Sequence, residues 1–193
     1  RFNDDDSAYL SRTPSVAGNR KTWTWSGWVK RGNFGAASGD DILFNCYSGT
    51  TRDAIRLEFA GEFRLYLNDG TSGSIETAAL LRDPSAWYHL VVSVDTTKAT
   101  ASDRVTLSIN GVAQTSLTTA SYPALNYDTF INLAAAHRIS SKAETSSDHF
   151  DGYLSEVNFI DGLALTPDSF GEFGDYGEWK PLKYTGAYGT NGF

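Results

Sequence analysis

The stretch Phe150-Asp151-Gly152-Tyr153-Leu154-Ser155-Glu156-Val157-Asn158-Phe159-Ile160-Asp161-Gly162-Leu163-Ala164-Leu165-Thr166-Pro167-Asp168-Ser169-Phe170 governs the reading of the whole chain. Tyr153, Ser155, Val157 and Phe159 alternate with Leu154, Glu156, Asn158 and Ile160, the period of a strand with two different faces. Asp161-Gly162 is a turn pair. Thr166 suits an N-cap and Pro167 the first helical position, which predicts a short helix over Pro167–Glu172. Strand, turn and capped helical turn follow one another without a linker.

Outward from this segment, strand signals dominate. Trp23 to Lys30 sets Trp23 and Trp25 against Thr24 and Ser26, and Asp41 to Asn45 is a short apolar run. Ala54–Phe59 and Phe63–Leu67 read as a hairpin with Phe59 opposite Phe63, Leu57 opposite Leu65 and Ile55 opposite Leu67, turning through Ala60-Gly61-Glu62. On the other face that register places Glu58 opposite Arg64 and Arg56 opposite Tyr66. Trp87 to Asp95 is apolar on both faces and therefore central in its sheet. Asn110-Gly111, the preferred pair of a type I′ turn, joins Val105–Ile109 to Val112–Leu117. Gly32–Gly39 and Ala136–Asp148 read as the longest loops. No window carries a sustained helical stripe and no internal repeat is present. The fold class is all-β: a two-sheet antiparallel jelly-roll sandwich with one short helix near the C-terminus.

With 193 residues, 40% of them hydrophobic, the chain can build one substantial core. It has no Met, at position 1 or elsewhere, and is read as a piece of a longer chain. The single cysteine, Cys46, excludes an internal disulfide and reads as a small buried hydrophobe beside Phe44. A net charge of −7 excludes a phosphate-backbone partner, and no apolar run is long enough for membrane insertion. The domain spans 1–172. Residues 173–193, rich in Gly and aromatics, form a tail that packs its rings back on the sandwich or onto a neighbour.

Three segments carry a family resemblance. Phe150–Phe170 resembles the late F-D-G-x-L-x-E-V strand and apolar plug of laminin-G-like domains, in the concanavalin-A-like lectin/glucanase superfamily. Trp87-Tyr88-His89-Leu90-Val91-Val92-Ser93-Val94-Asp95 is similar to the family's W-x-H-V-x-V-x-x-D strand. Phe2–Leu10 with Trp23–Lys30 is similar to its opening. The tail from Trp179 to Phe193 resembles tails that follow such domains in bacteriophage virion proteins. The resemblance implies a jelly roll and a recognition or decoration domain of a virion (tail fibre) or secreted surface protein. Its partners would be a glycan or host surface receptor and other virion subunits, and a homo-oligomer fits such a setting. A purely structural module is the competing reading.

Catalysis is not expected. Retaining glucanases of this superfamily carry E-x-D-x-x-E, which sets two carboxylates on one face roughly 5 Å apart. Glu156-Val157-Asn158-Phe159-Ile160-Asp161 lacks the middle acid, leaving only a glycosidase whose carboxylates are distant in sequence. His89, His137 and His149 lack metal-ligand spacing; His89 reads as a core histidine with a backbone partner. For ligand binding, Arg56, Glu58, Arg64, Tyr66 and Asn68 alternate outwards on adjacent strands. Arg56, Tyr66 and Asn68 are the candidate contacts, with Tyr66 stacking and His137 adding from its loop. Trp23, Trp25 and Trp28 read as core. Calcium is the ion the resemblance implies, and it takes about six to eight oxygens. Asp4 and Asp6, with Asp151, are the candidate ligands, since the first and last strands of a jelly roll are often neighbours.

Overall fold

A computed structural model describes residues 1–33, 40–145 and 147–193. The strands run β1 (Leu10–Arg12), β2 (Thr22–Arg31), β3 (Asp41–Tyr47), β4 (Arg52–Leu57), β5 (Glu62–Leu67), β6 (Gly73–Leu80), β7 (Tyr88–Asp95), β8 (Val105–Ile109), β9 (Val112–Ala113), β10 (Leu117–Ser121), β11 (His137–Ile139), β12 (Gly152–Asp161), β13 (Gly171–Phe173) and β14 (Trp179–Pro181). Among the described residues they form a seven-stranded sheet, β1-β11-β3-β4-β5-β6-β10, a five-stranded sheet, β12-β2-β7-β8-β9, and the hairpin β13-β14. All pairings are antiparallel. The fold is the expected sandwich.

The core lies between the two large sheets. Trp23, Trp25 and Val29 of β2, with Leu90, Val92 and Val94 of β7, face Ile55 and Leu57 of β4 and Phe63, Leu65 and Leu67 of β5. Alternation delivers this directly: each inward side chain is flanked by an outward one. Cys46 is buried, and burial pushes its thiol up to about 12. Leu57→Ala or Val92→Ala is expected to cost about 2–4 kcal/mol through the cavity it opens. Chemical denaturation measures this, and a loss well below that range would contradict the core placement.

Several expectations are corrected. In the β4–β5 hairpin, Leu57 pairs with Phe63, Ile55 with Leu65, and Arg56 with Arg64, two residues from the expected register. The faces survive because a two-residue shift preserves parity. Phe59 leaves the strand, 45% exposed, and Gly61 takes φ +107° in the turn. In β12 the alternation breaks between Ser155 and Asn158, where Glu156 adopts φ +49° in a bulge. Tyr153 and Ser155 therefore face outward while Val157 and Phe159 pack on the core. The segment expected as one strand after Asn110-Gly111 divides. Val112–Ala113 pair with β8, and Leu117–Ser121 cross to the other sheet beside β6. The loop expected over Ala136–Asp148 contains β11. The helix is a single 3-10 turn, Pro167–Ser169; Thr166 makes no side-chain cap to its backbone and instead bonds the Asp168 carboxylate. The Gly32–Gly39 loop lies outside the described residues from 34 onward.

The tail folds back on the sandwich. Phe170 with Val91 and Ile160 makes a second apolar cluster on the outer face of the five-stranded sheet, joined by Leu165, Tyr184 and Tyr188. This is why β7 is apolar on both faces. At the end of the chain, Phe159 and Phe193 exchange two backbone hydrogen bonds, extending the edge of β12.

Candidate functional site

The polar face of the seven-stranded sheet does not present the free side chains expected of it. Arg56 is only 7% exposed. Its Nε and Nη2 donate to Glu58 Oε1 at 2.9 and 2.7 Å, and its Nη1 meets Asp40 Oδ2 at 2.7 Å. Arg64 Nη1 reaches the same Glu58 oxygen at 2.8 Å and Glu76 Oε2 at 3.0 Å. Charges thus alternate along Asp40, Arg56, Glu58, Arg64 and Glu76. The Tyr66 ring packs against both guanidinium groups, 4.4 Å from Arg56 and 4.8 Å from Arg64. Its edge also abuts Gly70, where a Cβ would sit 2.5 Å from Cε2. Arg56 is not a free donor, and the Tyr66 ring is engaged by both guanidinium groups. Neighbours across the sheet, invisible to the period-2 pattern, consume both.

The two carboxyls at the head of this row diverge. Burial raises Asp40, with Arg56 opposing and Glu58 reinforcing. Burial also disfavours charge on Glu58, but Arg64 and Arg56 hold it low. An acid paired with a carboxylate is the arrangement glycoside hydrolysis uses. Here Glu58 Oε1 accepts from the guanidinium groups of both Arg56 and Arg64.

Asn68 and His137 are likewise structural. Asn68, at φ +51°, donates its N–H to Asp53 Oδ1 and its Nδ2–H to Ser72 Oγ. His137 Nε2 accepts from the Asn132 N–H at 2.9 Å, so Nδ1 carries the proton toward Ala135 O, also at 2.9 Å. Its ring stacks on Phe44, and burial lowers its pKa to about 4. It does line a cavity of about 380 Å³ between the sheets, walled largely by Phe2, Leu10, Phe44, Leu154, Phe159 and Phe193. Beside the cavity, Asp161 accepts from the Asn19 N–H, Asn132 Nδ2–H and Asn191 N–H. That hub, which ties the tail to β12, has no signature in the sequence because its members are far apart along the chain.

At the acidic corner, Phe2 bridges Gly152, so the N-terminus does reach Asp151. Burial and the Asp4 charge raise the Asp151 carboxyl. Asp6 Oδ2 accepts from Asn3 Nδ2 at 2.9 Å. Hard carboxylate oxygens are the right donor type for calcium. Among the described residues, however, no three His, Cys, Asp or Glu side chains gather as a metal site.

On the outer face of the five-stranded sheet, His89 is sandwiched between Trp28 (5.1 Å) and Trp179 (5.9 Å). Trp179 Nε1 donates to His89 Nδ1 at 2.9 Å, so the proton sits on Nε2 and points at Ser26 Oγ, 2.8 Å away. The pair looks like a Ser–His dyad, but this tautomer cannot take the serine proton. Burial also lowers the histidine to about 4. The partners of His89 are side chains, not the backbone group expected. Trp23 and Trp25 are core as expected, whereas Trp28 faces outward and is half-buried.

This sandwich and its sequence place the protein in a class of two-sheet antiparallel jelly rolls. Residues 3–169 match the model of the laminin-G-type family described as the concanavalin A-like lectin/glucanases superfamily, and the chain belongs to that family. No curated protein matches the sequence. Among solved structures, the chain is similar to a heptameric SAP-like pentraxin of Limulus polyphemus (TM-score 0.57, 14% identity, 82% of this chain and 71% of that one). Domain 4 of AbnA, a GH43 extracellular arabinanase of Geobacillus stearothermophilus in complex with arabinotriose, is also similar (TM-score 0.55, 19% identity, 80% and 66% covered). So is the enzymatically active domain of tailspike protein 2 of bacteriophage CBA120 (TM-score 0.53, 14% identity). The match covers 88% of this chain but only 26% of that one. At these identities the likeness is one of fold. Among the described residues no helix is long and apolar enough to cross a membrane.

Proposed function

We propose that this is a non-catalytic carbohydrate-recognition domain of a virion or secreted surface protein, acting outside the cell. Membership of a lectin/glucanase family over residues 3–169 carries the reading. The pinned Glu58 and the proton on His89 Nε2 support binding without turnover. The virion setting rests on the tail resemblance and on the fold shared with a phage tailspike domain. A glycan array combined with a reducing-end assay tests the function. Binding of at least one glycan without release of reducing ends is expected. Release that disappears in Asp40→Asn or Glu58→Gln would overturn the non-catalytic reading. Failure to bind any glycan would favour the purely structural module.

Calcium at the corner of Asp4, Asp6 and Asp151 belongs to the same proposal, because a cation would offset the burial and the Asp4 charge that raise Asp151. Calcium binding only the folded state would raise Tm by the linkage term RT ln(1 + [L]/Kd). Identical melting curves in millimolar calcium and in chelator would remove it.

A further inference from the structure

The polar face first read as the contact surface is consumed by its own ion pairs. A different surface has the exposure and chemistry that sugar recognition needs. Tyr153 of β12 pairs with Lys30 of β2. Val29 pairs with Tyr88 of β7, so Trp87, one residue earlier, continues the rung beside Lys30. All three side chains are outward, because their neighbours Leu154, Val29 and Tyr88 pack on the core. Adjacent strands are about 4.8 Å apart, so Tyr153, Lys30 and Trp87 stand in one row across three strands.

The row is open. Trp87 is 40% exposed and Tyr153 is 41% exposed. Their ring centroids are 6.4 Å apart at an interplanar angle of 61°, an edge-to-face contact and not a closed stack, with Lys30 half-buried between them. Large aromatics left this exposed are the residues that dominate recognition energetics when covered. Between them, Lys30 forms no ion pair with a carboxylate among the described residues. This contrasts with Arg56 and Arg64, each held by two carboxylates. The fully exposed Asp83 feels the Lys30 charge only weakly, behind its hydrogen bonds from Ser85. One rung along, the half-buried Trp28 has an indole N–H with no acceptor among the described residues.

We propose that Trp87, Tyr153 and Lys30 form the binding strip for an acidic glycan, an inference that rests on the carbohydrate-recognition reading. The apolar face of a pyranose ring lies against Trp87 and Tyr153. A carboxylate or sulfate on the sugar pairs with the Lys30 ammonium, a flexible point charge with three donors. In a chain of net charge −7 the attraction is local and falls with salt. The strip also avoids the ordering cost of loop closure, because its three residues stand on or beside paired strands.

The test is a glycan array of neutral and acidic oligosaccharides, followed by titration of the best binder, on the full chain. The wild type is expected to bind acidic members, more weakly at high salt, with a shift in indole emission. Trp87→Ala and Tyr153→Ala are each expected to weaken binding at least tenfold while Tm stays within a few degrees. Lys30→Ala should abolish the preference for acidic over neutral sugars, and Tyr66→Ala should bind as the wild type when folded. If Trp87→Ala and Tyr153→Ala both bind at wild-type strength, the strip is not the site, although the recognition reading stands. If the wild type binds no glycan, both fall. Binding without any change in indole emission also overturns the strip, and this needs no variant.

Discussion

Asp53→Ala is expected to lower Tm by roughly 10 °C or more, the largest single-residue loss outside the apolar core. Asp53 on β4 is fully buried, with no salt-bridge partner among the described residues. Burial pushes its carboxyl up to about 6, against the pull of three backbone donors. Those donors are the N–H groups of Asn68, Phe130 and Ile131. One carboxylate thereby organises the turn after β5 and the segment leading toward β11. Alanine would leave three N–H groups without this acceptor, that of Ile131 buried and those of Asn68 and Phe130 part-buried, and each buried donor left unmet costs about 1–3 kcal/mol. Asp53→Asn should recover only part of the loss, since one side of its amide offers a donor to a donor. Thermal melts of the two variants measure this. A Tm within about 3 °C of wild type for Asp53→Ala would show that the segments hold themselves.

Arg56→Ala is expected to be nearly as damaging and to act on stability, not recognition. Its guanidinium is the only group within ion-pairing distance of both Asp40 and Glu58 among the described residues. Removing it leaves two carboxylates facing one another and strips one of the two cations from Tyr66. Breaking a buried pair costs about 3–5 kcal/mol. Asp40 and Glu58 keep about a quarter and a fifth of their side-chain surface wet. Solvent screening therefore argues for the lower end, about 3 kcal/mol. Arg56→Lys should rescue little, because a single ammonium cannot engage both carboxylates through a planar fork. Urea denaturation measures the effect. An unchanged midpoint with lost glycan binding would restore Arg56 to the contact surface.

The strands β2, β3, β4, β5, β7, β8 and β12 were legible from alternation and turn chemistry, whereas β11 lay in an expected loop and β9 and β10 were read as one strand. Asn110-Gly111 takes positive φ at both residues, +48° and +81°, as its hairpin requires. The β4–β5 faces were also legible, and the register was not. Slips of two residues keep every side chain on its own face, so apolar alternation cannot separate them. The β12 bulge was hidden for a related reason: Val157 and Ser155 share a parity that one extra residue cancels.

The candidate site divides in the same way. Residue type and spacing show no E-x-D-x-x-E strand and a single cysteine. They placed Trp23, Trp25, Leu57 and Val92 in the core because a strand's period is a local property of the backbone. Whether Arg56 and Tyr66 are free depends on which side chains of their own hairpin and its flank close on them, and whether Trp87 and Tyr153 meet across Lys30 depends on strands far apart in sequence. Hydrophobic periodicity and turn residues act over a few positions, so most strands and the sandwich could be read from the chain alone. Which outward side chains stay without partners emerged only from the folded molecule. An ion pair or a ring contact is set by cross-strand neighbours, and those are chosen when the sheets assemble.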